Sequence, residues 1–107
     1  MIKVEVVRKN QLIQGITISG HADSGPKGYD LVCAAVSSIA TGALNALDQI
    51  CPKNVQLELT ESPDAMIKIK VLQNKDELQL LLNMLLIQLK TVRESQQKYI
   101  HIKEVKS

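Results

Sequence analysis

The sequence predicts an α+β domain, in which two helices pack on a mostly antiparallel sheet in the order ββαββαβ. Five short segments alternate apolar and polar residues, as half-buried strands do, and two longer segments repeat apolar residues at helical spacing. The chain has 107 residues, of which 45% are hydrophobic. We therefore expect residues 1–107 to form a single domain with a largely aliphatic core.

The predicted strands are the alternating segments 1–7, 12–19, 55–60, 65–71 and 97–105. The first two are expected to form a hairpin around a turn at residues 8–11, and the third and fourth to flank a turn at residues 61–64. Residues 20–30 are rich in glycine and proline, and this composition predicts a loop.

The first helix is predicted over residues 31–50, with Asp30 as its N-cap. The second is expected to open at Asn74, with Glu77 three residues later in an approximate capping box. Its apolar residues form two stripes: Leu78, Leu81, Leu82, Leu85, Leu89 and Val92 on one face, and Leu80, Met84 and Ile87 on another. A single sheet needs only one of these stripes, so the second predicts contact with a partner subunit in a homodimer.

Composition argues against several classes of protein. The formal net charge is +2, and the chain has two Tyr, no Phe and no Trp, which is too little charge and stacking surface to predict specific nucleic-acid binding. The charged start shows no signal peptide, and the apolar stretch at 78–89 is shorter than the ~20 residues of a membrane span. We therefore expect a cytoplasmic protein without membrane contact, and we read Cys33 and Cys51 as thiols.

The most unusual stretch is SGHADSGPKGYDLVCAAVSS, residues 19–38. If Asp30 caps the helix, Cys33 lies in its first turn, where unpaired backbone N–H groups favour a thiolate and could hold an oxyanion. His21 lies at the end of the second strand, and the intervening loop is long enough to fold its imidazole back to the sulfur. Spacing alone leaves two readings open, because a cysteine among alanines is more often a packing residue than a nucleophile.

This stretch closely resembles the bacterial ribosomal-processing cysteine protease family, often written Prp. The matching residues are Gly20, His21 and Ala22, followed by Gly28, Asp30, Leu31, Val32, Cys33, Ala34, Ala35, Val36 and Ser37. The resemblance implies a dimeric cysteine endopeptidase that removes the N-terminal extension of large-subunit ribosomal protein twenty-seven. It also implies that Cys33 is the nucleophile and His21 the general base, with Asp30 and Ser37 as accessory residues nearby.

The loop that holds Gly20, Gly25 and Gly28 is expected to order around the substrate strand. No cofactor is expected, and no familiar metal-ligand spacing appears, although His21 and Cys33 could be combined with Asp23 or Asp30 on paper. The alternative function is a non-catalytic dimeric module that binds a ribosomal or assembly partner in the loop groove. In that case Cys33 would only pack at the start of the helix.

Overall fold

In the computed structural model, the described residues are 1–20, 28–60 and 65–107, and for residues 28–30 the description is of the backbone alone. The predicted order ββαββαβ is confirmed. The elements are β1 (Ile2–Lys9), β2 (Leu12–Ser19), α1 (Gly28–Ile50), β3 (Val55–Thr60), β4 (Met66–Val71), α2 (Asp76–Ser95) and β5 (Ile100–Lys106).

The strands form one mixed sheet in the order β3-β4-β2-β1-β5. β1 pairs with β5 in parallel, and the other three neighbouring pairs are antiparallel. β2 and β3 end where β1, β4 and β5 begin. We call this the site end of the sheet, and we call the opposite end, which holds the turn between β1 and β2, the hairpin end.

The turn between β1 and β2 is shorter than predicted. It consists of Asn10 and Gln11, both at positive φ (51° and 70°), which is the backbone of a tight two-residue hairpin. The ladder is irregular between Val7 and Arg8. This bulge changes the alternation in β2, so that Ile13 and Ile16 are both buried although they are three residues apart.

Both helices pack on the same face of the sheet. The buried side chains of alternate strand positions form one core cluster with Val32, Val36, Ala40 and Leu47 of α1 and with Leu78, Leu82, Leu85, Leu86 and Leu89 of α2. The second apolar stripe of α2 lies outside this core, with Leu80 72%, Met84 57% and Ile87 63% exposed. The two stripes therefore have different surroundings, and the stripe that begins at Leu78 is the one that packs in the core.

The helix starts differ from the sequence prediction. α1 begins at Gly28, so Asp30 is a residue of its first turn and not its N-cap. α2 begins at Asp76 behind Lys75, whose side chain makes no capping hydrogen bond, and the predicted opening at Asn74 is wrong. Asn74 instead accepts a hydrogen bond from Gln79 Nε2 at 2.9 Å.

Side-chain bonds join separate elements at the hairpin end. The Gln79 amide on α2 accepts from the Ile13 N–H at 3.0 Å and donates to the Ile13 carbonyl at 2.9 Å. The Gln79 amide thereby pairs with the backbone of Ile13 as a neighbouring strand would. The ladder between β2 and β4 starts only at Gly15. Glu104 on β5 accepts from Arg8 Nε at 2.8 Å and from Lys90 Nζ at 3.1 Å.

One helix passes a test of length and hydropathy for a membrane span. Among the described residues, the segment Leu31–Ile50 of α1 meets it, with a mean hydropathy of 1.5. Core helices of globular proteins pass the same test, and α1 supplies four buried residues to the core described above. Length and composition are therefore weak evidence for a span here.

Candidate active site

Cys33 lies in an open groove between α1 and the site end of the sheet. The groove has a volume of about 310 Å³. One wall is the flank of α1 that carries Cys33, Val36, Ser37 and Thr41. The opposite wall and floor come from the strand ends, namely Ile2, Ile18, Ser19, Gly20, Leu59, Thr60, Ala65, Met66 and Ile67. We call this cavity the Cys33 groove.

The structure brings together three of the residues predicted from the sequence. Cys33, Ser37 and Gly20 all line the Cys33 groove. His21 and Gly25 lie outside the described residues, as does the side chain of Asp30. His21 directly follows Gly20, so the predicted base is the next residue after one that lines the groove.

Two predicted positions need correction. Gly28 is the first residue of α1 and not part of a loop between strand and helix. Because the helix starts earlier than expected, Cys33 is its sixth residue and lies in the second turn. The N–H groups without helical partners belong to the first turn, so they precede Cys33 and do not surround it as predicted.

Gly20 has a backbone conformation that glycine adopts more readily than any other residue. Its φ is +85°, and a Cβ placed on it would overlap the Met1 carbonyl oxygen. A side chain here would therefore be strained by the backbone and would also push against the start of the chain. Glycine is therefore the residue that this position accepts without strain.

The described lining of the Cys33 groove carries no charged side chain. Its polar side-chain groups are the Cys33 thiol and the hydroxyls of Ser19, Ser37, Thr41 and Thr60, set among aliphatic residues. The described part of the groove is therefore an aliphatic surface with scattered hydrogen-bonding groups.

Sequence reasoning missed the rest of the groove. Thr41 continues the i, i+4 stripe of Cys33 and Ser37 by one more turn, a signal that was present in the sequence. Leu59 and Thr60 come from β3, far from Cys33 along the chain, and no local pattern connects them to it.

The second cysteine is far less accessible than Cys33. Cys51 is 1% exposed, whereas Cys33 is partly buried, and both are thiols, as predicted. Within residues 1–20, 28–60 and 65–107, no group of three or more His, Cys, Asp or Glu could hold a metal ion. His21 and Asp23, which were weighed as ligands, lie outside that part of the chain.

The model of the cysteine protease Prp family matches residues 1–101 of this chain. The chain belongs to the Prp family of cysteine proteases. It is accordingly a cysteine peptidase, which favours the enzyme over the non-catalytic binding module considered from the sequence. Because the match spans nearly the whole chain, it includes all the elements that build the Cys33 groove.

Individual relatives agree with this assignment. The chain is 29% identical over 103 residues to the ribosomal processing cysteine protease Prp of Staphylococcus aureus strain Mu50, covering 95% of this chain and 97% of the relative. Its fold matches SMU.848 from Streptococcus mutans with a TM-score of 0.88 and 28% identity, covering 100% and 96% of the two chains.

Two S. aureus Prp structures hold peptides. One is a complex with a covalently linked product peptide and matches with a TM-score of 0.86, and the other is a complex with a substrate peptide and matches with a TM-score of 0.81. Each is 27% identical to this chain, covering 97% of it and 99% of the relative. Peptide binding is thus seen in these two S. aureus structures.

Proposed function

We propose that this chain removes the N-terminal extension of large-subunit ribosomal protein twenty-seven, with Cys33 as nucleophile and His21 as general base. The observation that carries the proposal is the position of Cys33 in an open groove that Gly20, the residue directly before His21, also lines. The family resemblance of the stretch around these two residues supports the substrate and the pairing. In this proposal residues 1–107 act as one domain.

The reaction proceeds in two steps. The Cys33 thiolate attacks the scissile carbonyl and forms a thioester, while the C–N bond breaks and the imidazolium of His21 gives its proton to the leaving amine. His21 then takes a proton from water, which attacks the thioester and releases a carboxylic acid and the Cys33 sulfur. The cycle consumes one water and needs no cofactor.

Ser37 and Asp30 support this chemistry in different ways. Ser37 lies one turn after Cys33 on the same flank of α1 and can donate a hydrogen bond to a bound peptide in the groove. Asp30 lies in the first turn of α1, where a carboxylate is favoured by the helix dipole. We propose that Asp30 stabilises the start of the helix and orients His21.

The test is cleavage of the full-length ribosomal protein with its extension, read by intact mass. Wild type should make a single cut, and Cys33→Ala should make none. Cys51→Ala is the matched control, since it removes the other thiol, which is buried outside the groove, and it should cut at the same bond. Cleavage by Cys33→Ala would overturn the proposal, as would a stable complex with wild type in which no bond is cut.

We further propose that the protein is a homodimer that associates through the outer flank of its helices. Besides the exposed Leu80, Met84 and Ile87, this surface holds a second groove, of about 430 Å³, between α1 and α2. Its α1 wall is mostly small residues, Ser38, Ile39, Gly42, Ala43 and Ala46. Large side chains of α2 thus lie beside small side chains of α1, and such a surface can pack against the same surface of a second copy.

Sedimentation tests the dimer. Leu80→Gln combined with Met84→Gln should give a folded monomer, because both side chains are exposed in the single chain. Leu81→Gln combined with Leu85→Gln should unfold the protein, because Leu85 is buried and Leu81 packs against the core. A wild-type monomer at micromolar concentration would contradict the proposal.

The proposed substrate also sets where the protein acts. We infer a cytoplasmic enzyme whose partners are the ribosomal protein precursor and its own second copy. Neither a membrane nor specific binding of nucleic acid enters the proposal, because the described lining of the Cys33 groove holds neither cations nor aromatic rings.

A further inference from the structure

The Cys33 groove extends well beyond the cysteine along α1. Cys33, Ser37 and Thr41 are spaced by four residues, so they follow one flank of the helix. Thr41 is eight residues after Cys33, which at a rise of 1.5 Å per residue places it about 12 Å along the helix axis. Thr41 is exposed and lines the far end of the groove.

Leu59 lies across the groove from Thr41. α1 ends at Ile50 and β3 starts at Val55, so distances along both elements can be counted from the short connection between them. Thr41 is nine residues before Ile50, about 14 Å along the helix, and Leu59 is four residues after Val55, about 13 Å along the strand. Leu59 is 56% exposed although it lies on the same face of β3 as the buried Val55.

An extended peptide advances about 3.3 Å per residue, so 12 Å corresponds to three or four residues. We propose that Thr41 and Leu59 form a specificity pocket for an aliphatic substrate side chain three or four residues from the scissile bond. Thr41 is then a specificity-determining residue that limits the size of this side chain. The inference rests on the proposed cleavage at Cys33 and adds a second point of recognition to it.

The chemistry of the pocket favours an apolar side chain. Leu59 presents aliphatic surface, and Thr41 presents a methyl and a hydroxyl. An aliphatic side chain would cover the exposed part of Leu59 and remove apolar surface from water.

Cleavage of a randomised peptide library, read by mass spectrometry, tests the inference. Wild type should favour aliphatic residues at one position three or four residues from the cut. Thr41→Leu should fill the pocket and shift that preference to Ala and Gly, changing the ratio of kcat/KM for Leu over Ala there at least tenfold, the scale of discrimination in apolar pockets. Thr41→Val, which keeps the size, should retain the wild-type preference.

The controls separate specificity from folding. Gln49→Leu adds the same side chain to an exposed position of α1 outside the groove and should leave every preference unchanged. The inference is overturned if Thr41→Leu slows all peptides alike, if its profile equals that of wild type, or if wild type has no preference at that distance.

The library result does not depend on which protein is the natural substrate. Failure to cut the ribosomal precursor, with the library preference intact, would refute the proposed substrate alone. Cleavage of the precursor by an enzyme with no preference at the Thr41 position would refute this inference alone.

Discussion

The two ends of the sheet are built for different purposes. At the hairpin end, side chains bond one element to another: Gln79 joins α2 to β2, and Glu104 joins β5 to both β1 and α2. At the site end, the strand ends and the small residues of α1 leave an open groove around Cys33. We therefore expect the site end to be the less stable part of the fold, as regions that bind ligands often are.

The largest expected contrast is between two buried isoleucines of β2. Ile13 at the hairpin end is 0% exposed, and Ile13→Ala should lower the free energy of unfolding by about 3–4 kcal/mol without changing kcat/KM of the folded enzyme. Ile18 lines the groove, where water can fill part of the space, so Ile18→Ala should cost about 2 kcal/mol and lower kcat/KM at least tenfold. Urea unfolding measures the stability of each variant, and cleavage of the precursor measures its activity. Equal losses of kcat/KM in the two variants would contradict the division between the hairpin end and the site end.

Replacing Gln79 tests whether side-chain hydrogen bonds stabilise the hairpin end. Gln79→Leu removes two hydrogen bonds to Ile13 and leaves a partly buried N–H and carbonyl without that partner. We expect a loss of about 2 kcal/mol in urea unfolding. Gln49→Leu, at an exposed position of α1, is the control and should change stability by less than about 0.5 kcal/mol. If the two variants unfold alike, the Gln79 bonds do not stabilise the fold.

Two glycines should respond to alanine with opposite sign. Gly20→Ala meets a positive φ and the Met1 carbonyl, so it should cost about 1–2 kcal/mol and slow cleavage by displacing the chain that leads to His21. Gly42→Ala meets nothing within 4 Å in the single chain and lies inside α1, so it should raise the free energy of unfolding of the monomer by about 0.5–1 kcal/mol. Because Gly42 also lines the proposed dimer surface, this is measured in the Leu80→Gln and Met84→Gln background. Thermal unfolding and cleavage rates check both, and a stable, active Gly20→Ala would show that the contact with Met1 is dispensable.

The ion pairs of Glu104 should have the smallest effect. Its hydrogen bond to Arg8, followed by that to Lys90, lowers the pKa of the Glu104 carboxyl below its ordinary 4.5. A lowered folded-state pKa gives stability that is present above about pH 5 and is lost as the pH falls through that lower pKa. Because the side chain is 34% exposed, we expect only about 0.5 kcal/mol.

Glu104→Gln should therefore reduce stability at pH 7 and have a smaller effect at pH 3. Glu58→Gln, an exposed carboxylate on β3, is the matched control. Urea unfolding at the two pH values measures the difference. A loss that is the same at both values would show that the charge of Glu104 does not contribute.

The elements could be predicted because their patterns are local. Alternation identified all five strands, and the helical repeat separated the inner leucines of α2 from Leu80, Met84 and Ile87. The start of α1 could not be placed, because Gly28 and the residues before it have the composition of a loop while the backbone is helical from Gly28. Nor does any local pattern reveal that β1 pairs in parallel with β5, nearly the whole chain away.

The same distinction applies to the site. Cys33, Ser37 and Gly20 belong to one short stretch and could be chosen from it, and all three line the groove. Leu59 could not be chosen, because its place opposite α1 depends on the order of the strands in the sheet. The family resemblance supplied the role of His21, which spacing alone left as one of two readings.

The most direct test of the central claim is whether His21 activates Cys33. The rate of alkylation of Cys33 by iodoacetamide, followed by mass at neutral pH, should be compared in wild type, His21→Ala and His101→Ala. His101 is the only other histidine and lies exposed on β5, so its replacement should leave the rate within twofold of wild type. We expect a drop of at least tenfold for His21→Ala, and a rate equal to that of wild type would contradict the proposed dyad.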